Sequence, residues 1–224
     1  MTFSLVARCS DTGMFGVAIS SSSPAVAARC PYARAGVGAV SSQNITDPRL
    51  GPAVLDALET HRNADEALAA VMGPQEFKSY RQVLVVDHKG LAAVHSGEHA
   101  LGNWSSATGP NVASGGNLLD NMGVPQAIVD AFIVSKGDLG DRLIHAMQAG
   151  LSAGGEAGPI HSAGMLIVDK VSWPVADLRC DWSDECPIES LASLWDIYKP
   201  QLGDYVKRAL NPGDAPSYGV PGDD

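Results

Sequence analysis

The sequence predicts an α+β fold, a four-layer αββα sandwich of two antiparallel sheets between two helical layers. Three observations carry that expectation. Strand-like segments come in neighbouring pairs joined by turn residues, as hairpins do. Helical segments also come in pairs, so the strict alternation of a doubly wound parallel sheet is absent. Several strands are near-continuous apolar runs, which fits sheets buried on both faces.

The elements follow in order. FSLVAR (3–8) alternates as a strand, Asp11-Thr12-Gly13 is turn chemistry, and MFGVAIS (14–20) completes a hairpin. AGVGAVSS (35–42) reads as a third strand. Residues 52–62 carry apolar side chains at helical spacing. Asn63 with Glu66 three residues on then forms a capping-box pattern ahead of ADEALAAVM. RQVLVVD (81–87) is a buried strand, turned at Asp87-His88-Lys89-Gly90 into the partner LAAVHS. Residues 97–117 are polar and Gly-rich, with one short strand expected at 111–114. Two helices follow at 124–135 and 139–151, the second with Asp138 placed as its N-cap. After the loop AGGEAGP, a hairpin is expected from 162–170 and 173–179. Residues 187–210 are helical, interrupted at Pro200. The expected organisation is one domain over 1–210 and an ordered, extended tail over 211–224, anchored on the body or on a second subunit by Tyr218 and Val220.

Composition narrows the function. The chain has 224 residues, 25 Asp plus Glu against 15 Lys plus Arg, and a formal charge of −10. Such a surface repels nucleic acid and anionic membranes, so neither is an expected partner. No apolar run is long enough to cross a bilayer, and the start MTFSLVARCSD lacks the form of a secretory signal. The expected compartment is the cytoplasm. The four cysteines form no C-x-x-C pair, which fits reduced thiols. His95 and His99 flank Gly97 at a spacing that strand character makes unfit for a metal. No metal and no cofactor is expected.

Thr2 follows Met1 and opens a strand that reads as buried. Removal of Met1 would leave a free α-amine beside the Thr2 hydroxyl, with a reference pKa of about 7.7–8.0. One residue then holds both nucleophile and base. Other polar groups cluster by sequence. Ser21, Ser22 and Ser23 follow the second strand and could hold a substrate carboxylate or cap backbone groups. Asn44 and Arg49 lie in a dense polar segment. Arg49 could fork onto an anionic substrate or pair with Asp47. Gly116 and Asn117 offer backbone and amide donors suited to an oxyanion or to a tight turn. His161 follows a Gly-rich loop that carries Glu156, and is an acid–base candidate or a satisfied imidazole.

The segments FSLVAR…TGMFGVAIS, ARAGVGAVSSQ, DPRLGPAVLDAL, YRQVLVVDHKG, GGNLL and HSAGMLIVD with WPVADLR together resemble the domain of unknown function 1028 family. The likeness runs over about 2–210, in the same order. That family resembles the N-terminal nucleophile (Ntn) hydrolases, which implies the same αββα sandwich and amide hydrolysis by an N-terminal Thr, Ser or Cys. The resemblance puts Thr2 at the nucleophile's place. It also implies a cation near the amine. Ser20 to Ser23 stand where many relatives have a basic residue, so Arg29, Arg34 or Arg49 must supply it, or the mechanism of that superfamily is absent.

The expected function is therefore cleavage of an amide in a small, anionic substrate by a homodimeric enzyme. Thr2, His161 and Asn117 form its catalytic set, with Ser21, Ser22, Ser23, Asn44, Arg49 and Gly116 on the substrate. The alternatives are a dimeric small-molecule-binding module without catalysis, or an enzyme on this scaffold that works through loop residues.

Overall fold

A computed structural model describes residues 1–61 and 63–221. Among the described residues, ten strands and six α-helices form four layers. One sheet has six strands in the order β10-β9-β2-β1-β8-β7, and the other has four in the order β3-β4-β5-β6. The six-stranded sheet comprises β1 (Thr2–Arg8), β2 (Phe15–Ser21), β7 (Ser105–Gly109), β8 (Val112–Asn117), β9 (Ser162–Val168) and β10 (Ala176–Cys180). The second comprises β3 (Pro31–Arg34), β4 (Gly38–Asn44), β5 (Arg81–Asp87) and β6 (Ala92–Ser96). Every strand pairing is antiparallel.

The two-residue side-chain period assigns each face. Phe3, Leu5 and Ala7 of β1 point outward into a core shared with α3 (Val124–Val134), α4 (Leu139–Ser152) and α5 (Pro187–Tyr198). Val40, Val83 and Val85 point outward from the second sheet onto α1 (Leu50–His61) and α2 (Ala64–Met72). Val6, Val17, Ala39, Leu84, Val86 and Ala113 close the seam between the sheets.

Several boundaries differ from the sequence expectation. Ala35–Val37 is a turn, with Gly36 at φ 73°, and the expected strand there starts only at Gly38. Two edge strands, β3 and β7, have no counterpart in the sequence reading. Both are only partly buried, so neither shows a full apolar face. The short strand expected at 111–114 runs on to Asn117 as β8. The hairpin expected from 162–170 and 173–179 is shorter on β9 and shifted on β10. Helix α1 starts at Leu50 rather than 52, and its expected last residue, Arg62, lies outside the described residues. Asn63 does cap α2, accepting from Glu66 N at 2.8 Å. Asp138 stands at the N-cap of α4 but makes no capping bond. Its carboxylate is drawn instead to Lys199 Nζ at 2.8 Å, because an opposite charge is within reach. The long final helix divides at Pro200 into α5, a 3₁₀ turn and α6 (Leu202–Leu210).

The start of the tail folds back on α6. Arg208 donates to Pro216 O at 2.9 Å and lies 3.8 Å over the Tyr218 ring. Tyr218 and Val220 remain more than half exposed. The tail's last residues, 222–224, lie outside the described residues.

The seam is apolar at the β1–β2 turn and polar at the opposite end. There Ser4 donates to Gln43 Oε1 at 2.6 Å, and Gln43 Nε2 donates to Gln82 Oε1 at 2.8 Å and Gly115 O at 3.1 Å. Gln82 Nε2 reaches Ser96 Oγ at 3.0 Å. Each amide is fully buried and answered, as burial requires. Thr2, two residues before Ser4 on the same face of β1, sits above this polar end.

Candidate active site

The heads and tails of four adjacent strands meet at Thr2. Antiparallel register sets Thr2 opposite Asn117 on β8 and Ser21 opposite Ser162 on β9, while Phe3 opposite Ser20 brings Ser21 alongside Thr2. Thr2 is 8% exposed. Its hydroxyl donates to Met1 O at 2.5 Å, and Ser21 Oγ donates to the same carbonyl at 2.5 Å. The two hydroxyl oxygens are 3.3 Å apart.

The direction of the remaining bonds follows from that. Ser21 spends its proton on Met1, so at 2.8 Å it accepts from Ser23 Oγ, together with Ser23 N at 3.1 Å. Arg29 donates to Ser23 Oγ at 2.7 Å and is steadied by Pro24 O and Ala25 O, each at 2.9 Å. A polarised chain therefore runs from the Arg29 guanidinium through Ser23 and Ser21 to the Met1–Thr2 peptide. Of the three arginines considered from sequence, Arg29 is the one linked to Thr2. Arg34 pairs with Asp56 and Glu59, and Arg49 with Asp47 at 2.7 Å.

A loop from the far half of the chain closes the site. Gly154 and Gly155 take φ of 124° and 60°, conformations open to glycine, and let the chain fold back after α4. Ala157 N donates to Leu118 O at 3.0 Å, and a bridge pairs Glu156 with Leu119. Glu156 is thereby buried beside the N-terminus. Its Oε2 accepts from Ser22 N at 3.1 Å, while Oε1 has no partner. Burial pushes its carboxyl up to about 7, opposed by the N-terminal amine and by Ser22. Asn117, also buried, leaves its Nδ2 without a partner. Among the described residues only four buried side-chain atoms lack partners, and these two flank the head of β1. Such groups mark a place where a ligand can supply the missing bond.

The other predicted residues divide. Ser21, Ser22, Ser23 and Asn117 come together at Thr2, as described. Gly116 stands in the ladder opposite Phe3. A Cβ there would meet Leu119 at 2.5 Å and Thr2 O at 3.1 Å, so glycine allows close packing. Asn44 spends its amide on loops, donating to Tyr80 O and accepting from Leu101 N. The exposed Arg49 guanidinium holds the Asp47 carboxyl down at about 2. His161 borders the cluster through its backbone N, which donates to Ser21 O. Its ring stacks on Trp182 at 4.3 Å and its Nδ1 meets Ser183 O at 2.9 Å. His95 and His99 are taken up by Lys78 O and the Tyr80 ring. The sequence pattern sets Glu156 in the Gly-rich loop without tying it to the site. The available signal was a carboxylate alone in AGGEAGP, with no lysine or arginine in that loop.

Cavities open elsewhere. One of about 250 Å³ lies at the β1–β2 turn between Cys9, Leu139 and Trp195, and one of about 540 Å³ lies against Trp173. Neither is lined by Thr2, over which Met1 sits.

The layered fold and the polar cluster at the head of β1 define a class of α+β sandwich protein with its N-terminal strand at the centre of a sheet. The chain belongs to a family of unknown function, DUF1028, whose model matches residues 2–191. It is similar to the crystal structure of a DUF1028 protein from Silicibacter pomeroyi at 27% identity and TM-score 0.85, over 92% of this chain and 90% of that one. Fainter likenesses are a Gly-1 mutant of Anbu from Hyphomicrobium sp. strain MC1 (11% identity, TM-score 0.43, 92% of this chain and 100% of that one) and Anbu, an ancestral β-subunit, from Yersinia bercovieri (9%, 0.37, 92% and 97%). No curated protein matches the chain. No helix among the described residues is long and apolar enough to cross a membrane.

Proposed function

We propose that the chain is an amidohydrolase that uses Thr2 as an N-terminal nucleophile once Met1 is removed. The observation that carries this reading is the pair of hydroxyls, Thr2 and Ser21, aimed at one carbonyl oxygen at the buried head of β1. In the processed chain the Thr2 amine takes the hydroxyl proton as Oγ1 attacks a substrate carbonyl carbon. The C–N bond then breaks, the leaving amine takes that proton, and water hydrolyses the ester on Oγ1. Ser21 and the unpartnered Asn117 Nδ2 are the donors available to the oxyanion. Arg29, acting through Ser23, supplies positive potential that favours the neutral amine.

The reading includes a small-molecule substrate, a cytoplasmic setting and pairing with a second copy. Sedimentation at micromolar concentration checks the pairing, and a mass of one 23.3 kDa chain excludes it.

The test starts with intact mass of the protein from its native host, then amide hydrolysis by a chain prepared to begin at Thr2. Thr2→Ala is expected to remove turnover by at least about 10³-fold. A native chain that keeps Met1, or equal activity in Thr2→Ala, leaves the loop-based enzyme or the binding module as the reading.

A further inference from the structure

Met1 occupies the proposed site much as the acyl side of a substrate would. Its carbonyl oxygen takes both hydroxyl donors. Its side chain ends at Gly158, where an added Cβ would stand 3.0 Å from Met1 Cε. Its α-amine acts electrostatically on Glu156. Glu156 Oε1 is buried and has no hydrogen-bond partner, so the carboxylate holds an acceptor in reserve on that side.

A carbonyl attacked by Thr2 Oγ1 brings its carbon to that oxygen and turns its own oxygen toward Ser21, close to where the Met1 carbonyl lies. The groups beyond that carbonyl then fall near those of Met1, an amine on the side of Glu156 and a flexible apolar chain toward Gly158, and a substrate not bonded to the Thr2 nitrogen is free to close the gap that the Met1 amine leaves to Glu156 Oε1. The open groups of the site agree. Glu156 Oε1 is an acceptor without a partner, whereas Arg29 keeps its charge but has both terminal nitrogens engaged by Ser23, Pro24 and Ala25. Arg49, on which an anionic substrate would depend, is paired with Asp47. The whole molecule, at −10, draws cations. A Cβ at 158 would press on the Met1 methyl at 3.0 Å, which makes that glycine part of the surface against which the chain lies.

Resting on the Thr2 reading, we infer that the substrate is an α-aminoacyl amide, its free ammonium bound by Glu156 and its apolar side chain lying against Gly158. Glu156 is in this account a specificity-determining residue, and an N-acylated or anionic acyl group is a poor fit. The buried acceptor left open would be satisfied by the ammonium, and the cost of leaving it unsatisfied discriminates against an acyl group without one.

The experiment uses the full chain beginning at Thr2, with binding of methionine amide and N-acetylmethionine amide measured by calorimetry. The amine-bearing ligand is expected to bind about 10- to 100-fold more tightly, the range of one hydrogen-bonded charge. Glu156→Gln is expected to bring the two dissociation constants together. Equal binding in the unsubstituted chain overturns the inference without recourse to any variant, and so does a preference that survives in Glu156→Gln. Hydrolysis of the corresponding anilides separates this from the underlying reading. Preference for the amine without Thr2-dependent turnover sinks the nucleophile and leaves the recognition site. Thr2-dependent turnover of both anilides at equal rates does the reverse.

Discussion

Glu156 shows how one buried residue sets a pH dependence. Its ordinary value of 4.5 is raised to about 7 by burial. A raised carboxyl holds its proton more tightly in the folded than in the unfolded chain. Its contribution to stability is therefore complete below pH 4.5 and is lost as pH rises through about 7. At about 1.4 kcal/mol per pKa unit, that loss amounts to about 3 kcal/mol. Glu156→Gln, neutral at every pH, is expected to lack this slope. Urea unfolding of both proteins at pH 5 and pH 8 checks it, and parallel stabilities at the two values would remove the buried, titrating carboxyl. Asp47 has the opposite sign. The Arg49 guanidinium holds it at about 2, so its contribution persists above the ordinary value of 3.8 and disappears only in strong acid.

At the scale of elements, the start of α4 is fixed to α5 by one close approach. A Cβ on Gly140 would stand 2.3 Å from the Trp195 ring, whose Nε1 donates to Asp141 Oδ1 at 2.8 Å. Lys199, at the end of α5, binds Asp138 and Asp141 together. The glycine is thus a packing requirement, and helix propensity alone would favour alanine there. Gly140→Ala is expected to destabilise by about 1–3 kcal/mol through overpacking. Gly203 in α6, with nothing within 4 Å of an added Cβ, supplies the contrast, since alanine there is expected to stabilise by about 0.5 kcal/mol. Thermal unfolding of both variants decides. A gain in melting temperature for Gly140→Ala would mean that the two helices are not held this closely.

For the whole molecule, the seam between the sheets has two characters. Its apolar end contributes burial, and its polar end ties the sheets by named bonds through Gln43. Gln43→Leu keeps the approximate volume but leaves Ser4 Oγ, Gln82 Oε1 and Gly115 O each without the bond it has now. Each buried group left unpaired costs about 1–3 kcal/mol. Ser4 keeps Ser41 Oγ at 3.1 Å, so the expected total from the other two groups is about 2–6 kcal/mol, read from the urea midpoint. A change under 1 kcal/mol would mean that the seam is held by its apolar end alone.

Local residues determined much of the architecture. The alternation in FSLVAR, the turn at Gly13, the cap at Asn63 and the break at Pro200 act over a few residues, and each left its mark in the sequence. So did the position of Thr2 at the head of a strand. Edge strands β3 and β7 did not, because each is defined by the neighbour it bonds to rather than by a buried face of its own. The site was legible in part. Ser21 to Ser23 and Asn117 stand out as polar residues ending apolar strands, and Asp47, two residues before Arg49, is a local sign that separates the committed Arg49 from the linked Arg29. Glu156 comes from a loop far along the chain, and it reaches Ser22 and the head of β1 only because β9 pairs with β2 and β8 with β1. Which hydroxyls share a carbonyl, and which carboxylate lies buried beside them, was decided by tertiary structure, since both follow from strand order and depth of burial rather than from local sequence.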